Sequence, residues 1–138
     1  MNKTQWLSRL LVLGAMLEIP VGLALLAAPS PLASLLLGAP LSGTGLVVAR
    51  LAGGGILGLG LACWFARSTP TSPAGLGVAG SLLAYNIVAC GTLALALPPG
   101  GTRMLTLAVA VTHGLIAAGL CFALITRVRP VAGLASTK

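Results

Sequence analysis

One carboxylate sets the chemistry that this chain can perform within its apolar segments. Glu18 is the only acidic residue in 138, and it lies inside the apolar run 10–28. Gly14 and Gly22 lie four residues before and after it, so on a helix all three share one face. Small-residue faces let neighbouring helices approach closely in a membrane. We therefore expect Glu18 to point into a protein interior, where an ionisable group is a candidate functional site.

Four further polar side chains lie in the later apolar runs: Arg50, Tyr85, Asn86 and His113. Glu18, the Tyr85-Asn86 pair and His113 fall near the midpoints of their runs, so a bundle would bring them to one level. Arg50 lies nearer the start of its run, and its long side chain can extend toward Glu18. We predict a buried polar cluster of these five residues, in which Glu18 pairs with Arg50, His113 or both. Tyr85 and Asn86 would satisfy the remaining hydrogen bonds.

Each member of this cluster also has a purely structural explanation. Arg50, near a helix end, can extend its guanidinium to the membrane surface. His113 can bond a backbone carbonyl of a neighbouring helix, and Asn86 can join two helices by a hydrogen bond. Tyr85 can fill the core with its hydroxyl satisfied. Glu18 can take part in an ion pair that fixes helix register.

Cofactor, metal and catalytic sites find little support in the sequence. Haem ligation by two imidazoles fails because His113 is the only histidine, and neither Met16 nor Met104 has a spacing that indicates a second axial ligand. Metal-site spacings and a serine elbow are absent. The cysteines occur singly in apolar runs and are predicted to be small buried side chains: Cys63, Cys90 and Cys121. We expect no catalytic residues, no metal and no cofactor. The sequence leaves open only whether His113 contacts a cofactor as its single protein ligand.

Composition predicts an all-α integral membrane protein with one domain over residues 1–138. The chain is 57% hydrophobic and 7% charged, with a mean hydropathy of +1.07, outside the makeup of soluble domains. Four runs are long enough to span a bilayer, at 10–28, 45–66, 74–97 and 104–125. The first follows a basic start, as signal peptides do, but we interpret it as a retained span. Pro29 and Pro31 end it, and 31–38 is predicted to be interfacial.

Small residues at a spacing of four predict where the four helices pack. Arg50 shares a stripe with two glycines of the second run, and a ladder of three small residues occupies the fourth. The predicted packing positions are Gly14, Gly22, Gly54, Gly58, Ala110, Gly114 and Ala118.

The basic residues predict the orientation of the chain. A net charge of +7 would suggest nucleic acid in a soluble protein, but the basic residues lie between and beyond the apolar runs. With four spans, one side holds Lys3, Arg9, Arg67, Arg127, Arg129 and Lys138. The other side holds Arg50 and Arg103. The excess places both termini in the cytoplasm, and we expect no nucleic-acid partner.

Several short motifs resemble a family of small membrane proteins. The first run ends in Ala28-Pro29, the second opens with Val-Ala-Arg-Leu-Ala-Gly-Gly at 48–54 and exits through Trp-Phe-Ala-Arg at 64–67, and His113 comes late. This pattern resembles short bacterial four-helix membrane proteins of the DoxX-like type. The resemblance implies a four-helix bundle in a bacterial inner membrane and brings no catalytic residues. A lone glutamate in the first of four helices also resembles the layout of small multidrug resistance transporters.

Two functions are compatible with these features. The first is a non-catalytic accessory or assembly subunit that packs against a larger membrane complex or against itself, because the chain has short connections and helix faces rich in Gly and Ala. The second is a small proton-coupled transporter or ligand-binding bundle that uses Glu18, Asn86 and His113 at one depth.

Overall fold

Five α-helices account for most of the chain. The computed structural model describes residues 3–128, and their helices are α1 (Lys3–Ala27), α2 (Pro29–Leu37), α3 (Thr44–Ala66), α4 (Pro73–Leu95) and α5 (Arg103–Val128). No strand occurs in this part of the chain. The helices α1, α3, α4 and α5 are each long and apolar enough to cross a membrane. The prediction of an all-helical chain with four such helices is confirmed. Arg129 and Lys138 lie outside the described residues.

Proline and glycine positions explain where the short helix α2 lies. α1 continues through Pro20 and ends at Ala27, and α2 begins directly with Pro29 at its first position. A proline is tolerated there because the first amide of a helix has no partner within it. Gly38 ends α2 with a φ of 74°, in the left-handed region that glycine adopts without strain. The predicted interfacial segment 31–38 is therefore a helix that begins two residues earlier.

The long helices pack most extensively in two pairs, α1 with α3 and α4 with α5. Close approach in the first pair depends on glycine, because a Cβ at Gly22 would lie 2.6 Å from the Leu57 backbone nitrogen. Gly53 and Gly60 of α3 face α1 in the same way, with Leu25 and Ile19 as their neighbours. These contacts run in opposite directions along the two helices, so α1 and α3 are antiparallel.

Three of the predicted packing positions need correction. A Cβ added at Gly54 or Gly58 would have no neighbour within 4 Å, because the stripe that faces α1 is displaced by one residue, about 100° around the helix. Ala118 is exposed, and the neighbouring Ala117 is buried instead. The other predicted positions do lie at contacts: Gly14 against Leu82, Gly22 against Leu57, Gly114 against Cys90, and Ala110 with 2% of its surface exposed.

The apolar core fills only one half of the bundle, which we call the closed half. Its members include Leu7 and Leu11 of α1, Cys63 of α3, Leu82 of α4 and Leu120 of α5. Cys63 is buried there as predicted, whereas Cys90 is half-buried and Cys121 is exposed. The opposite half, which we call the open half, contains the end of α1, all of α2 and the start of α5. The site described next lies where the two halves meet.

Candidate functional site

Glu18 and Tyr85 form the first part of the site. Glu18 lies two-thirds of the way along α1 with 2% of its surface exposed, and its carboxyl group lies beside the Tyr85 hydroxyl of α4. Gly60 of α3 lies directly behind the Glu18 Cβ, so the acid is held against the close α1–α3 contact. Its Oε1 atom is buried and has no hydrogen-bond partner among the described residues. An unsatisfied buried acceptor is destabilising and rare in native proteins.

Asn86 and His113 form the second part, between α4 and α5. Asn86 is fully buried, and its Nδ2 donates to the Leu82 carbonyl one turn earlier at 2.8 Å. Its Oδ1 therefore faces Nδ1 of His113, also at 2.8 Å. Since an amide oxygen can only accept, Nδ1 carries the proton in this hydrogen bond. In the neutral ring, the free lone pair is consequently on Nε2.

Tyr85 connects the two parts. Its ring meets the His113 ring edge-on, with centroids 5.6 Å apart and an interplanar angle of 83°, the arrangement that aromatic pairs favour. Its hydroxyl lies beside the Glu18 carboxyl group. The structure thus brings Glu18, Tyr85, Asn86 and His113 into one continuous group drawn from α1, α4 and α5.

Arg50 does not belong to this group, which corrects the expectation that it joins the buried cluster and pairs with Glu18. The residue is exposed, and its Nε donates to the Leu26 carbonyl of α1 across 3.4 Å. The reason is local: Arg50 lies on α3 near the end of α1, whose final carbonyls have no helical donor of their own. A long flexible side chain satisfies one of them instead of reaching inward.

A cavity of about 550 Å³ opens beside the group, within the open half. Its walls come from all five helices and are mostly aliphatic, with Leu25, Leu36, Val88 and Val109 among them. Glu18, Tyr85 and His113 line its inner end, and Thr92 and Thr112 are the other polar residues that line it. Binding sites for small molecules typically have volumes in this range and mostly apolar linings with a few polar groups.

Thr106, which no sequence pattern indicated, attaches α2 over the cavity. Thr106 of α5 is fully buried, and its hydroxyl donates to the Leu36 carbonyl at the end of α2. Leu32 and Leu36 of α2 form part of the cavity wall, so this bond holds one wall in place. A threonine within an apolar run is a weak signal, because its hydroxyl more often bonds its own helix, as Thr112 does with Ala108.

The arrangement favours recognition of a molecule with both apolar and polar parts. Within residues 3–128, no group of three or more His, Cys, Asp or Glu side chains lies close enough to hold a metal ion. The polar end of the cavity is lined by Glu18, whose Oε1 atom is buried without a hydrogen-bond partner among the described residues, and by His113, whose ring Asn86 orients. An aliphatic body in the cavity would place its polar group against these atoms.

Comparison with protein-family models, with curated proteins and with solved structures found no match to this chain. The resemblance to DoxX-like proteins therefore stays a prediction.

Proposed function

We propose that this protein binds, within a membrane, a small molecule that has an aliphatic body and a hydrogen-bonding head group. One observation carries the proposal: Glu18 lines an apolar cavity, and its buried Oε1 atom lacks a hydrogen-bond partner among the described residues. A ligand group that supplied the missing bond would remove the cost of leaving this oxygen unsatisfied. The cavity volume of about 550 Å³ lies within the range of small-molecule binding sites.

The head group of the ligand should be a hydrogen-bond donor. Asn86 Oδ1 accepts a hydrogen bond from the Nδ1–H of His113, so the other ring nitrogen offers a lone pair. The unpartnered carboxyl oxygen of Glu18 also offers a lone pair when ionised. Two acceptors at one end of an apolar cavity are complementary to a hydroxyl, an amine or an amide N–H, and they disfavour an ether or a ketone, which only accept.

In this proposal the chain is a multi-pass protein of a bacterial inner membrane, a single domain with both termini in the cytoplasm. The four long apolar helices support a membrane location, and the excess of Lys and Arg beside the termini supports the orientation. The closed half, with the start of α1, then lies toward the cytoplasm. The cavity and α2 lie in the outer leaflet, where an aliphatic molecule dissolved in the lipid would enter.

The test compares two ligands of nearly equal length and hydrophobicity. Purified protein in lipid nanodiscs is titrated with 1-dodecanol and with undecyl methyl ether, and binding is measured by displacement of a fluorescent fatty alcohol. We expect the alcohol to bind about tenfold more tightly, the value of one well-formed hydrogen bond. Equal affinities for the two would contradict the donor assignment, and no displacement by either would contradict the binding function.

Proton-coupled transport is an extension of the same proposal. A carrier would release a proton from Glu18 when its ligand binds, so Glu18→Gln should abolish pH-dependent flux while leaving the fold intact. A binding protein without transport would show no flux to lose.

An accessory-subunit role is the second candidate, and an outward-facing stripe favours it. Gly54 and Gly58 of α3 have open space beside them, and the neighbouring Leu51 is 73% exposed. Glycines at this spacing allow another transmembrane helix to approach closely. If this surface is an interface, Gly58→Leu should abolish co-purification with the partner, whereas Gly91→Leu, at an open position on α4, should not.

A further inference from the structure

The cavity reaches the surface of the bundle on the side of α4 that faces away from α5. Val88 and Thr92 of α4 line the cavity, yet Thr92 is exposed and Val88 has 65% of its surface exposed. Asn86 and Cys90 face α5, and Val88, two residues from each, lies nearly on the opposite side of the helix. The opening beside Val88 is therefore on the side of α3.

The facing surface of α3 is open at the same level. Ile56 of α3 lines the cavity, and Ala52, one turn earlier on the same side, is exposed. Ala52 and Val88 each lie about four turns from the short connection between α3 and α4. Cys63, about three turns after Ala52 on the same face, is fully buried in the closed half. The helices α3 and α4 thus pack together near their connection and separate beyond it, which leaves an opening between them.

The helix α2 leaves this opening uncovered. In the described part of the chain, α2 packs against α1, α3 and α5 and not against α4. It therefore bridges the other gap of the bundle, between α1 and α5, and Thr106 of α5 bonds the Leu36 carbonyl at its end. Thr112 of α5 lines the cavity beside that gap and is exposed, so the α1–α5 gap is the alternative that an experiment must test.

The residues around the α3–α4 opening suit an alkyl chain. Ala52, Ile56 and Val88 are aliphatic, and Thr92 is uncharged. With the proposed orientation, the opening faces the hydrocarbon of the outer leaflet. A chain that passes through it is in apolar surroundings on both sides and exposes no polar group to lipid. The polar residues that a head group needs lie inside the cavity, at its inner end. A ligand with its head inside and its tail outside therefore fits both surroundings.

We propose that the ligand is a single-chain lipid whose hydrogen-bonding head lies in the cavity and whose alkyl tail passes between α3 and α4 into the bilayer. The inference rests on the proposed binding function and adds the class of the ligand and the position of its tail. A closed cavity limits the size of the whole ligand, whereas a cavity with a side opening limits only the part inside. The site therefore selects the head group and tolerates tails that are longer or bulkier than the cavity.

The test compares two alcohols with different tails. One is 1-decanol, and the other is 1,16-hexadecanediol joined to cholesterol by an ether at one end, so that its sterol end is too large to enter the cavity. Binding of each radiolabelled alcohol to the full-length protein in lipid nanodiscs is measured by scintillation proximity. We expect wild type to bind both with affinities that agree within about threefold, because both present the same hydroxyl group.

Variants at the two gaps locate the tail. Ala52→Trp places an indole at the α3–α4 opening and should weaken binding of the sterol-linked alcohol at least about tenfold. Binding of 1-decanol, which needs no opening for its tail, should persist and also shows that the variant is folded. Ala94→Trp is the matched control, because Ala94 is exposed on α4 and does not line the cavity. Ala108→Trp, one turn before Thr112 on α5, tests the α1–α5 gap.

The outcomes separate this inference from the proposed function. Failure of wild type to bind either alcohol would contradict the proposed function and the inference together. Binding of 1-decanol without the sterol-linked alcohol would leave the function standing and overturn the inference. Equal binding of the sterol-linked alcohol by wild type and Ala52→Trp would overturn it as well. A loss in Ala108→Trp in place of Ala52→Trp would put the tail between α1 and α5 and contradict the α3–α4 assignment.

Discussion

Asn86 Oδ1 and His113 Nδ1 lie 2.8 Å apart, and this hydrogen bond determines which imidazole nitrogen is available to a ligand. The Asn86 side chain cannot reverse its amide without losing its bond to the Leu82 carbonyl. The proton therefore stays on Nδ1, and Nε2 is the acceptor. A buried asparagine on one helix thus determines the tautomer of a histidine on the next.

The first prediction concerns this tautomer. Asn86→Leu removes the acceptor and should let the His113 ring populate both neutral tautomers, which ¹⁵N chemical shifts of labelled protein report directly. The same variant should lower the free energy of unfolding by about 1 kcal/mol, as expected for one hydrogen bond between helices. Ser81→Ala, on an exposed face of α4, is the control. A single Nδ1-protonated tautomer in Asn86→Leu would show that Asn86 does not select it.

The second prediction concerns the hydroxyl of Tyr85. Tyr85→Phe retains the ring that meets His113 edge-on and removes only the hydroxyl that interacts with Glu18. The buried carboxyl group then has one fewer partner, so the variant should be about 1–2 kcal/mol less stable to denaturation in detergent. Tyr85→Phe in a Glu18→Gln background should show a different loss, because the two groups interact. Additive losses in the double variant would indicate that the hydroxyl and the carboxyl do not interact.

Depth along the helices made most of the site predictable from the sequence. The Tyr85-Asn86 pair and His113 lie near the middle of α4 and α5, and Glu18 lies two-thirds of the way along α1, so antiparallel packing brings them to similar levels. The prediction for Arg50 was wrong because its long side chain can reach several carbonyls. Its position along the helix does not determine which of them it bonds. Its bond to Leu26 depends on where α1 ends against α3, which only the packed structure determines.

The prediction of which α3 glycines pack against α1 was wrong for a geometric reason. Gly53, Gly54 and Gly55 are consecutive, so several spacings of four are available and composition does not distinguish them. Each residue turns the helix by about 100°, and therefore an error of one residue selects another face. The bond from Thr106 to Leu36 joins positions 70 residues apart, and no local pattern predicts such a pair.

The third prediction separates the packed glycines from the open ones. Gly22→Ala would place a methyl group 2.6 Å from the Leu57 backbone nitrogen, so α1 and α3 must separate. A stability loss of about 1–3 kcal/mol is expected from such overpacking. Gly58→Ala adds the same methyl group in open space and should be neutral or stabilising, because alanine favours helix by about 1 kcal/mol. Equal losses in thermal unfolding of the two variants would contradict the close α1–α3 contact.

The fourth prediction concerns the attachment of α2. Thr106→Val retains the shape of the buried side chain and removes the hydroxyl, which bonds the Leu36 carbonyl of α2 and the Thr102 carbonyl of its own helix. Hydrogen exchange of α2 amides should increase, since one wall of the cavity is released. Thr112→Val, which removes only a bond within α5, should leave α2 unchanged. Increased exchange in Thr112→Val, or none in Thr106→Val, would show that another contact holds α2.

The most direct test of the binding function fills the cavity from one helix. Ala89 lines the cavity, whereas Ala84 of the same helix is exposed on its outer side. Binding of a fluorescent fatty alcohol is measured in nanodiscs for wild type, Ala89→Phe and Ala84→Phe. We predict that Ala89→Phe weakens binding at least about tenfold, while Ala84→Phe, which adds the same ring facing outward, binds as wild type does. Equal binding by all three proteins would show that the alcohol does not occupy the cavity and would contradict the proposed function.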